Sequence, residues 1–556
     1  MKEVGIFVCQ GKLEGLDLKL SPDEMKDLSG TRWVGHHPAL CSREGRDFFR
    51  DIIDQEQLQG VIALCPHASL YRETFDKEIR NLGIDSAYAR LLDLKADEWG
   101  NGKKGEALRK ALEEVQEASS SPTPNAFVKR VMVIGGGIAG ITTSIDLGNA
   151  GHEVILVEKL PSIGGRMLQL SETFPTLDCA QCTLTPKTVE TGQHPRIKLI
   201  TYSEVDEVKG KVGDFQVKIR RKAGYVDWTK CTGCGLCTQK CPSKNPSAFD
   251  RGMGLGKAIY TLSPQAVPNK PVIDVATCRY FREGKCKVCE KVCPVGAIDY
   301  EQKDSFIEER VGAIVVAVGF DLLPQEKFGE YGYGAVPDVI DGLAFERLNS
   351  ASGPTTGEIR RPSDGKIPKE VVFVQCTGSR DPERYMPYCS RVCCMYTGKH
   401  ARLYKHKVHD GQAYIFYMDI RSTGKGYEEF IQQGMEEEGT LYLRGRVSRI
   451  YRDGEKVIVW GVDTLTGKKV EVAADMVVLA TAIIPQNDAK ELARRLGITT
   501  DAHGFLTEAQ RKLRPVETDV EGIFVAGCAQ GPRDIADAVA HANAAASKVQ
   551  GLFAKH

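Results

Sequence analysis

KRVMVIGGGIAGITTSIDLGNAGHEVILVEK, residues 129–159, reads as strand, glycine turn, helix and strand in succession. That is one βαβ unit of a parallel, doubly wound sheet. Gly135, Gly137 and Gly140 stand in G-x-G-x-x-G spacing directly after the apolar run VMVI. The first glycine permits a tight turn, the second lets the backbone approach a pyrophosphate, and the third lets the helix pack close to the strand. Phosphates held there meet a helix N-terminus, whose free N–H groups and dipole favour anions. Glu158 ends the second strand, about 20 residues on, where an acid takes ribose hydroxyls. Ile138 and Ala139 in the turn and Lys159 beside the acid are further expected contacts, and Gly165 and Arg166 of the following GGR suit a second approach to the dinucleotide.

The α/β pattern continues in VGAIVVAVGF at 311–320, EVVFVQCTG at 370–378, MVVLATAIIP at 476–485 and EGIFVAGCAQ at 521–530. The arrangement resembles flavoprotein reductases of the thioredoxin reductase type, in which an FAD domain is split around an inserted pyridine-nucleotide domain. The resemblance makes AVGF (with Gly319) and LATAIIP at 479–485 the two crossover strands. It lays GIFVAGCAQ at 522–530, with Gly527, against the ribityl chain and ring. Where such proteins usually carry an acid after that Ala-Gly, this chain has Cys528, and Asp534 is the candidate to replace it.

The second Rossmann-like strand should lead into another glycine turn. It leads instead to Cys376, followed by Cys389, Cys393 and Cys394 in CTGSRDPERYMPYCSRVCC. Without the glycines the backbone cannot easily approach a pyrophosphate, whereas four soft thiolates suit an iron–sulfur cluster. Zinc takes the same ligand type. The reading adopted is a degenerate nucleotide domain that has exchanged NAD(P)H for a cluster. Lys399 follows the Cys-Cys pair on a helix expected to face the flavin, and is the candidate catalytic residue through a hydrogen bond to flavin N5.

Cys231, Cys234, Cys237 and Cys241, then Pro242, match C-x2-C-x2-C-x3-C-P, the two-cluster ferredoxin run. Cys278, Cys286, Cys289 and Cys293, then Pro294, form its partner half with a longer first gap. Because the fourth cysteine of each run serves the other cluster, Cys231, Cys234, Cys237 and Cys293 should hold one [4Fe–4S]. Cys278, Cys286, Cys289 and Cys241 should hold the second.

The chain has 556 residues, which suggests about three to four domains. The 74 basic residues balance the 74 acidic ones, which argues against binding nucleic acid by phosphate neutralisation. No apolar run reaches transmembrane length, and MKEVGIFVCQ reads as a strand rather than a signal peptide. Eighteen cysteines, most in tight CxxC-type groups of a long core-rich chain, indicate metal-cluster ligands rather than a secreted disulfide framework. A cytoplasmic place is expected, with any membrane association peripheral and through partner subunits.

The expected organisation is a small α/β domain (1–95), a charged helix and linker (96–128), the first FAD segment (129–225), the ferredoxin insert (226–302), a second FAD segment (303–335), the degenerate Rossmann domain (336–480) and the last FAD segment (481–556). Cys179 and Cys182 of TLDCAQCTLTPK admit two readings, a dithiol exchanging electrons with FAD or half of a cluster site. Cys9 and Cys65 close strand-like runs that should end at one sheet edge, with Cys41 nearby. The reading adopted is a fourth cluster drawn from these five cysteines, one of which is left over.

The N-terminal cysteine domain, LDCAQCTLTPK, the inserted ferredoxin, CTGSRD…YCSRVCC and GCAQGPRDI together resemble the A subunit of heterodisulfide reductase and its relatives, over nearly the whole chain. The resemblance implies FAD, several [4Fe–4S] clusters and a homodimeric core. Its implied partners are redox subunits akin to the B and C subunits of that enzyme, or hydrogenase- or ferredoxin-type carriers. It also implies flavin-based electron bifurcation or confurcation. Longer members carry a further C-terminal ferredoxin domain, so with the chain ending at His556 one electron exit is expected to be missing or to be supplied by a separate subunit. The alternatives are a plain flavin/iron–sulfur relay, as in the related quinone-interacting membrane-bound oxidoreductase and benzoyl-CoA reductase complexes, and a redox sensor. An NAD(P)H disulfide reductase conflicts with the lost second glycine turn.

Overall fold

Short apolar runs alternating with helices build parallel sheets. The computed structural model describes residues 2–9, 31–65, 68–93, 103–117 and 127–556, so the expected linker at 119–125 lies outside the described residues. The chain forms two compact units, Met1–Phe127 with Ala509–Pro515, and Val128–Glu508 with Val516–His556.

In the first unit, β1 (Val4–Cys9), β2 (Thr31–His37), β3 (Gly60–Cys65) and β4 (Ala89–Asp93) form a parallel sheet in the order β2-β1-β3-β4. Strands β1 and β3 are buried along their length, as continuous apolar runs require. Helix α1 (Arg43–Gln55) is capped by Ser42, whose hydroxyl accepts the Gly45 N–H at 3.0 Å. Helices α2 (Ala68–Asn81) and α3 (Lys103–Glu117) follow, and Leu108, Leu112 and Val115 of α3 pack against the strands.

The second unit opens with β5 (Arg130–Ile134), α4 (Ile138–Asn149), β6 (Glu153–Glu158), α5 (Ala180–Gln193) and β7 (Ile197–Thr201). Two antiparallel strands, β8 (Ser203–Lys211) and β9 (Asp214–Arg221), precede the insert, which contains the one-turn helices α6 (Leu236–Lys240), α7 (Arg279–Glu283) and α8 (Val288–Val292). The chain then returns through β10 (Ser305–Val311), which pairs with β9 from Ser305↔Arg221 to Val311↔Phe215. The insert therefore leaves and re-enters at adjacent strand ends, so the pairing closes its base. Strand β11 (Ala313–Val316) joins the first sheet beside β5.

After β12 (Phe320–Leu322) the second sheet begins. It uses β13 (Val339–Asp341), α9 (Gly342–Asn349), β14 (Glu370–Thr377), α10 (Cys393–Lys407), β15 (Gln412–Tyr417), α11 (Tyr427–Glu436) and β16 (Leu441–Arg444). An antiparallel trio follows, β17 (Val447–Asp453), β18 (Lys456–Asp463) and β19 (Lys468–Ala474), and β20 (Met476–Thr481) completes the parallel order β13-β20-β14-β15-β16. The return crossover β21 (Ile483–Pro485) pairs antiparallel with β12, tying the two crossings together. Helix α12 (Ala489–Leu496), strand β22 (Ile523–Val525) and helix α13 (Ile535–Ala554) close the first sheet in the order β22-β11-β5-β6-β7. The fold is thus α/β, with doubly wound parallel sheets and an inserted ferredoxin segment. Among the described residues no helix is long and apolar enough to cross a membrane.

Two glycines of the first turn are demanded by protein packing. Gly135 has φ +105°, and a Cβ there would lie 2.4 Å from the Ala317 carbonyl oxygen. At Gly140 a Cβ would lie 1.8 Å from the Gly135 carbonyl oxygen. We expect Gly140→Ala to force α4 away from β5 and destabilise the second unit by about 1–3 kcal/mol, the cost of overpacking. A lowered thermal midpoint of the cofactor-free protein would show this.

Candidate cofactor site

A cavity of about 1310 Å³ opens at the C-terminal ends of the first sheet, above the usual size of a small-molecule pocket. Gly135, Gly137, Ile138, Ala139, Glu158, Lys159, Gly165, Arg166, Gly319 and Cys528 lie on its wall. Gly137 is the N-cap of α4 with φ −76°, and a Cβ there would meet no atom within 4 Å. Neither backbone nor protein packing requires glycine at this position. A cofactor pyrophosphate passing the helix N-terminus would require it.

The Glu158 carboxylate accepts the Gly136 N–H at 2.6 Å and the Leu160 N–H at 2.8 Å. Burial raises its pKa, and these hydrogen bonds oppose the rise. Lys159 donates to Gln486 at 2.7 Å, and Arg166 is ion-paired with Asp321. Gly140 and Gly527 serve packing: a Cβ on Gly527, φ +64°, would come within 2.7 Å of Ala139 Cβ. Burial pushes the Cys528 thiol up to about 11, so it stands as a neutral group that donates to the Arg533 carbonyl. Asp534 is also on the wall, but its carboxylate caps α13 through the Asp537 N–H and accepts the Tyr427 hydroxyl at 3.0 Å.

Lys399 lies on the same wall and is fully buried. Its ammonium is ion-paired with Glu346 and donates to the Glu172 carbonyl at 2.6 Å. Glu346 and His400 were not legible as site residues, yet both are buried and line the cavity. Glu346 also accepts from Ser171 N–H at 3.0 Å, Ser171 hydroxyl at 2.8 Å and His400 Nε2 at 2.5 Å. Burial alone would raise the Glu346 pKa. The charge of Lys399 and the hydrogen bonds from Lys399 and His400 outweigh it and hold the carboxyl well below the usual range. The only sequence signal was two opposite charges, Glu346 and Arg347, in the short apolar stretch GLAFERLN.

Cys376, near the end of β14, has φ +56° and sits at a register shift between Val374 and Thr377. A side chain in this left-handed region costs energy and persists where its surroundings enforce it. Cys376, Cys393 and Cys394 converge there, with Cys393 hydrogen-bonded to both of the others. The Cys376 thiol is pulled down to about 7 by the hydrogen bond from Cys393, against burial and with help from Arg380. Cys389 lies in the same loop and accepts the Arg391 N–H at 3.2 Å. The recess outside this edge measures about 330 Å³ and is bounded by the Arg446–Asp381 ion pair at 3.0 Å.

In the insert, Cys241, Cys278 and Cys289 belong to one buried cluster, with Cys231, Cys237 and Cys293 packed against it. Cys289 interacts with Cys278 and Cys241, across the two runs, and Cys237 with Cys231 and Cys289. Cys289 also meets the Tyr300 hydroxyl at 3.1 Å, while Cys231 and Cys293 accept backbone N–H groups. Cys286 is half-buried and Cys234 exposed. Among the described residues no group of three or more His, Cys, Asp or Glu side chains is arranged to hold a metal ion.

Within the first unit, Cys41 is hydrogen-bonded to the Tyr71 hydroxyl, which also feels Cys65 and Cys9, so these three thiols gather at the sheet edge. Cys179 and Cys182 are adjacent at the start of α5. They are joined as a disulfide with a Cα–Cα distance of 5.2 Å, which is the alternative redox arrangement, and in this form neither sulfur is a thiolate ligand.

Residues 133–198 match the NAD(P)-binding Rossmann-like domain, and residues 225–245 the 4Fe-4S binding domain. The iron-sulfur A subunit of the CoB–CoM heterodisulfide reductase of Methanocaldococcus jannaschii is 42% identical, over 99% of this chain and 86% of that protein. The A subunit of the H(2):CoB-CoM heterodisulfide,ferredoxin reductase of Methanothermobacter thermautotrophicus is 41% identical, over 98% of this chain and 84% of that one. Among solved structures, T. acidophilum thioredoxin reductase matches 76% of this chain and 98% of its own at 15% identity, with a TM-score of 0.44. Fold, cavity and cysteine runs define a flavin- and iron–sulfur-containing oxidoreductase that transfers electrons. The chain belongs to the family of heterodisulfide reductase A subunits.

Two outcomes follow from the cavity. Gly137→Ala should leave the melting of the cofactor-free protein unchanged and weaken FAD binding at least about tenfold, or 1.4 kcal/mol, measured by fluorescence titration. Glu346→Ala should cost about 3–5 kcal/mol by leaving the Lys399 ammonium buried without its counter-ion. Because the folded Glu346 pKa is depressed, its stabilisation is complete above the unfolded value of about 4.3 and is lost as pH falls toward the folded one. Acid denaturation of the wild type and of Glu346→Gln, compared, reads that difference.

Proposed function

We propose that this chain is the electron-distributing component of a multi-subunit oxidoreductase, splitting or merging electron pairs at FAD and passing single electrons among [4Fe–4S] clusters. The observation that carries this reading is the second nucleotide turn. Cys376 occupies a backbone conformation that favours glycine, and Cys393 and Cys394 converge on it where a pyridine nucleotide would have needed room. A site rebuilt in this way exchanges electrons through metal rather than hydride.

The residues have separate tasks. Gly137 and the N-terminus of α4 receive the pyrophosphate, and Glu158 the ribose. Lys399 offers its ammonium to the cavity, with flavin N5 as the intended acceptor. Cys231, Cys234, Cys237 and Cys293 hold one cluster, Cys278, Cys286, Cys289 and Cys241 a second, and Cys376, Cys389, Cys393 and Cys394 a third. Bound FAD and clusters would supply the exchange between two-electron and one-electron chemistry, while the chain supplies position and electrostatics. The relatives' names speak of heterodisulfide and ferredoxin as redox partners. Carriers of those classes, on separate subunits, are the partners we propose, with a homodimeric core.

Anaerobically prepared protein should contain about twelve iron per FAD for three clusters. About eight would confine the clusters to the insert. Cys393→Ala should lose one paramagnetic resonance signal while FAD stays bound. Rapid reduction of the flavin by NADPH alone would sink the proposal.

A further inference from the structure

His400 is a buried histidine on the cavity wall with half of its hydrogen-bonding capacity unused. Its Nε2 lies 2.5 Å from Glu346 Oε1. Glu346 is ionised and can only accept, so Nε2 carries the hydrogen and donates. In the neutral ring Nδ1 then holds a lone pair, and that atom is buried with no hydrogen-bond partner. Buried polar atoms left unpaired are uncommon and call for a reason.

The surrounding charges supply one. Glu346 oxygen Oε1 is shared by Lys399 and His400, and Oε2 is taken by Ser171. One carboxylate and one ammonium cancel. The other groups facing the ring are Asp341, already paired with Arg251, and Tyr396 and Phe345, whose rings lie 5.4 and 5.0 Å away. Glu172 acts on the Glu346–Lys399 pair from the neighbouring segment. Burial and the Lys399 charge hold the imidazole neutral, while Glu346 pulls the other way. The cluster is thus electrically balanced and one proton short of a cation. Negative charge arriving in the cavity would tip that balance, since an opposite charge favours the protonated ring.

We propose that His400 is the redox-linked proton site of this cavity, taking a proton at Nδ1 when the cofactor is reduced, with Glu346 positioning it. The inference rests on the reading of the cavity as an FAD site. Electrons come from a one-electron donor, the proton comes from water, and the only new protein bond is Nδ1–H. The imidazolium so formed stays paired with Glu346, and the proton returns to water on reoxidation.

The test uses the FAD- and cluster-loaded full chain, with dithionite as donor, following the pH dependence of the FAD midpoint potential by its absorbance. His400→Gln keeps an N–H for Glu346 but cannot take the proton. It should bind FAD and show a shallower pH slope, short by about one proton per two electrons. Glu346→Gln should show the same loss. Reduced-minus-oxidised infrared spectra of wild type with ring-labelled histidine, which need no variant to fold, should show a histidine protonation band. An unchanged slope in His400→Gln, or no such band, overturns this inference alone. Wild-type protein that binds no FAD overturns the cavity reading and this inference with it.

Discussion

The carboxylate of Glu346 gathers the backbone and hydroxyl of Ser171, the ammonium of Lys399 and the imidazole of His400 onto two oxygens. Three stretches far apart in the chain meet there: the segment after the first flavin turn, helix α9 and helix α10. Every residue of α9 is buried. Charges at and within this element reach into the ferredoxin insert, its N-cap Asp341 to Arg251 and Arg347 to Asp250. Ions taken out of water are costly unless they are paired, and here each finds a partner in a different segment. The wall of the cavity and the insert loop at Asp250–Arg251 are therefore held in one arrangement.

The second sheet shows a nucleotide-binding frame turned to another use. Its strand order and crossover helices are those of a doubly wound domain, and β14 delivers the chain to the place where a glycine turn would start. The end of β14 has a glycine-like conformation at Cys376, although a cysteine side chain is disfavoured there. Cys393 and Cys394 at the start of α10 face the same point, so the strained backbone presents a thiol to other thiols. The same helix carries Lys399 and His400 two turns on. The cysteine site and the flavin wall are consequently joined by the first half of one helix.

The strands and the flavin turn were readable because their causes are local. Apolar periodicity sets strand and helix, and the spacing of Gly135, Gly137 and Gly140 marks the turn that joins them. The structure separates those needs: Gly135 and Gly140 answer to protein packing, and Gly137 to open space. The first ferredoxin run was equally legible, since ligand spacing is a property of the sequence. Gly527 makes room for Ala139, a packing need no spacing encodes. Cys179 and Cys182 could be read two ways because pairing depends on how two sulfurs are oriented, and the start of α5 brings them together.

What the residues determined unaided was the class of fold, the place of the dinucleotide turn, the cysteine runs of the insert and the loss of the second glycine turn, all consequences of short-range stereochemistry. Only the tertiary structure decided that Glu346 and His400 belong with Lys399. A carboxylate and an imidazole look the same in sequence whether solvated or buried. Their chemistry here comes from desolvation and from partners 53 and 54 positions away.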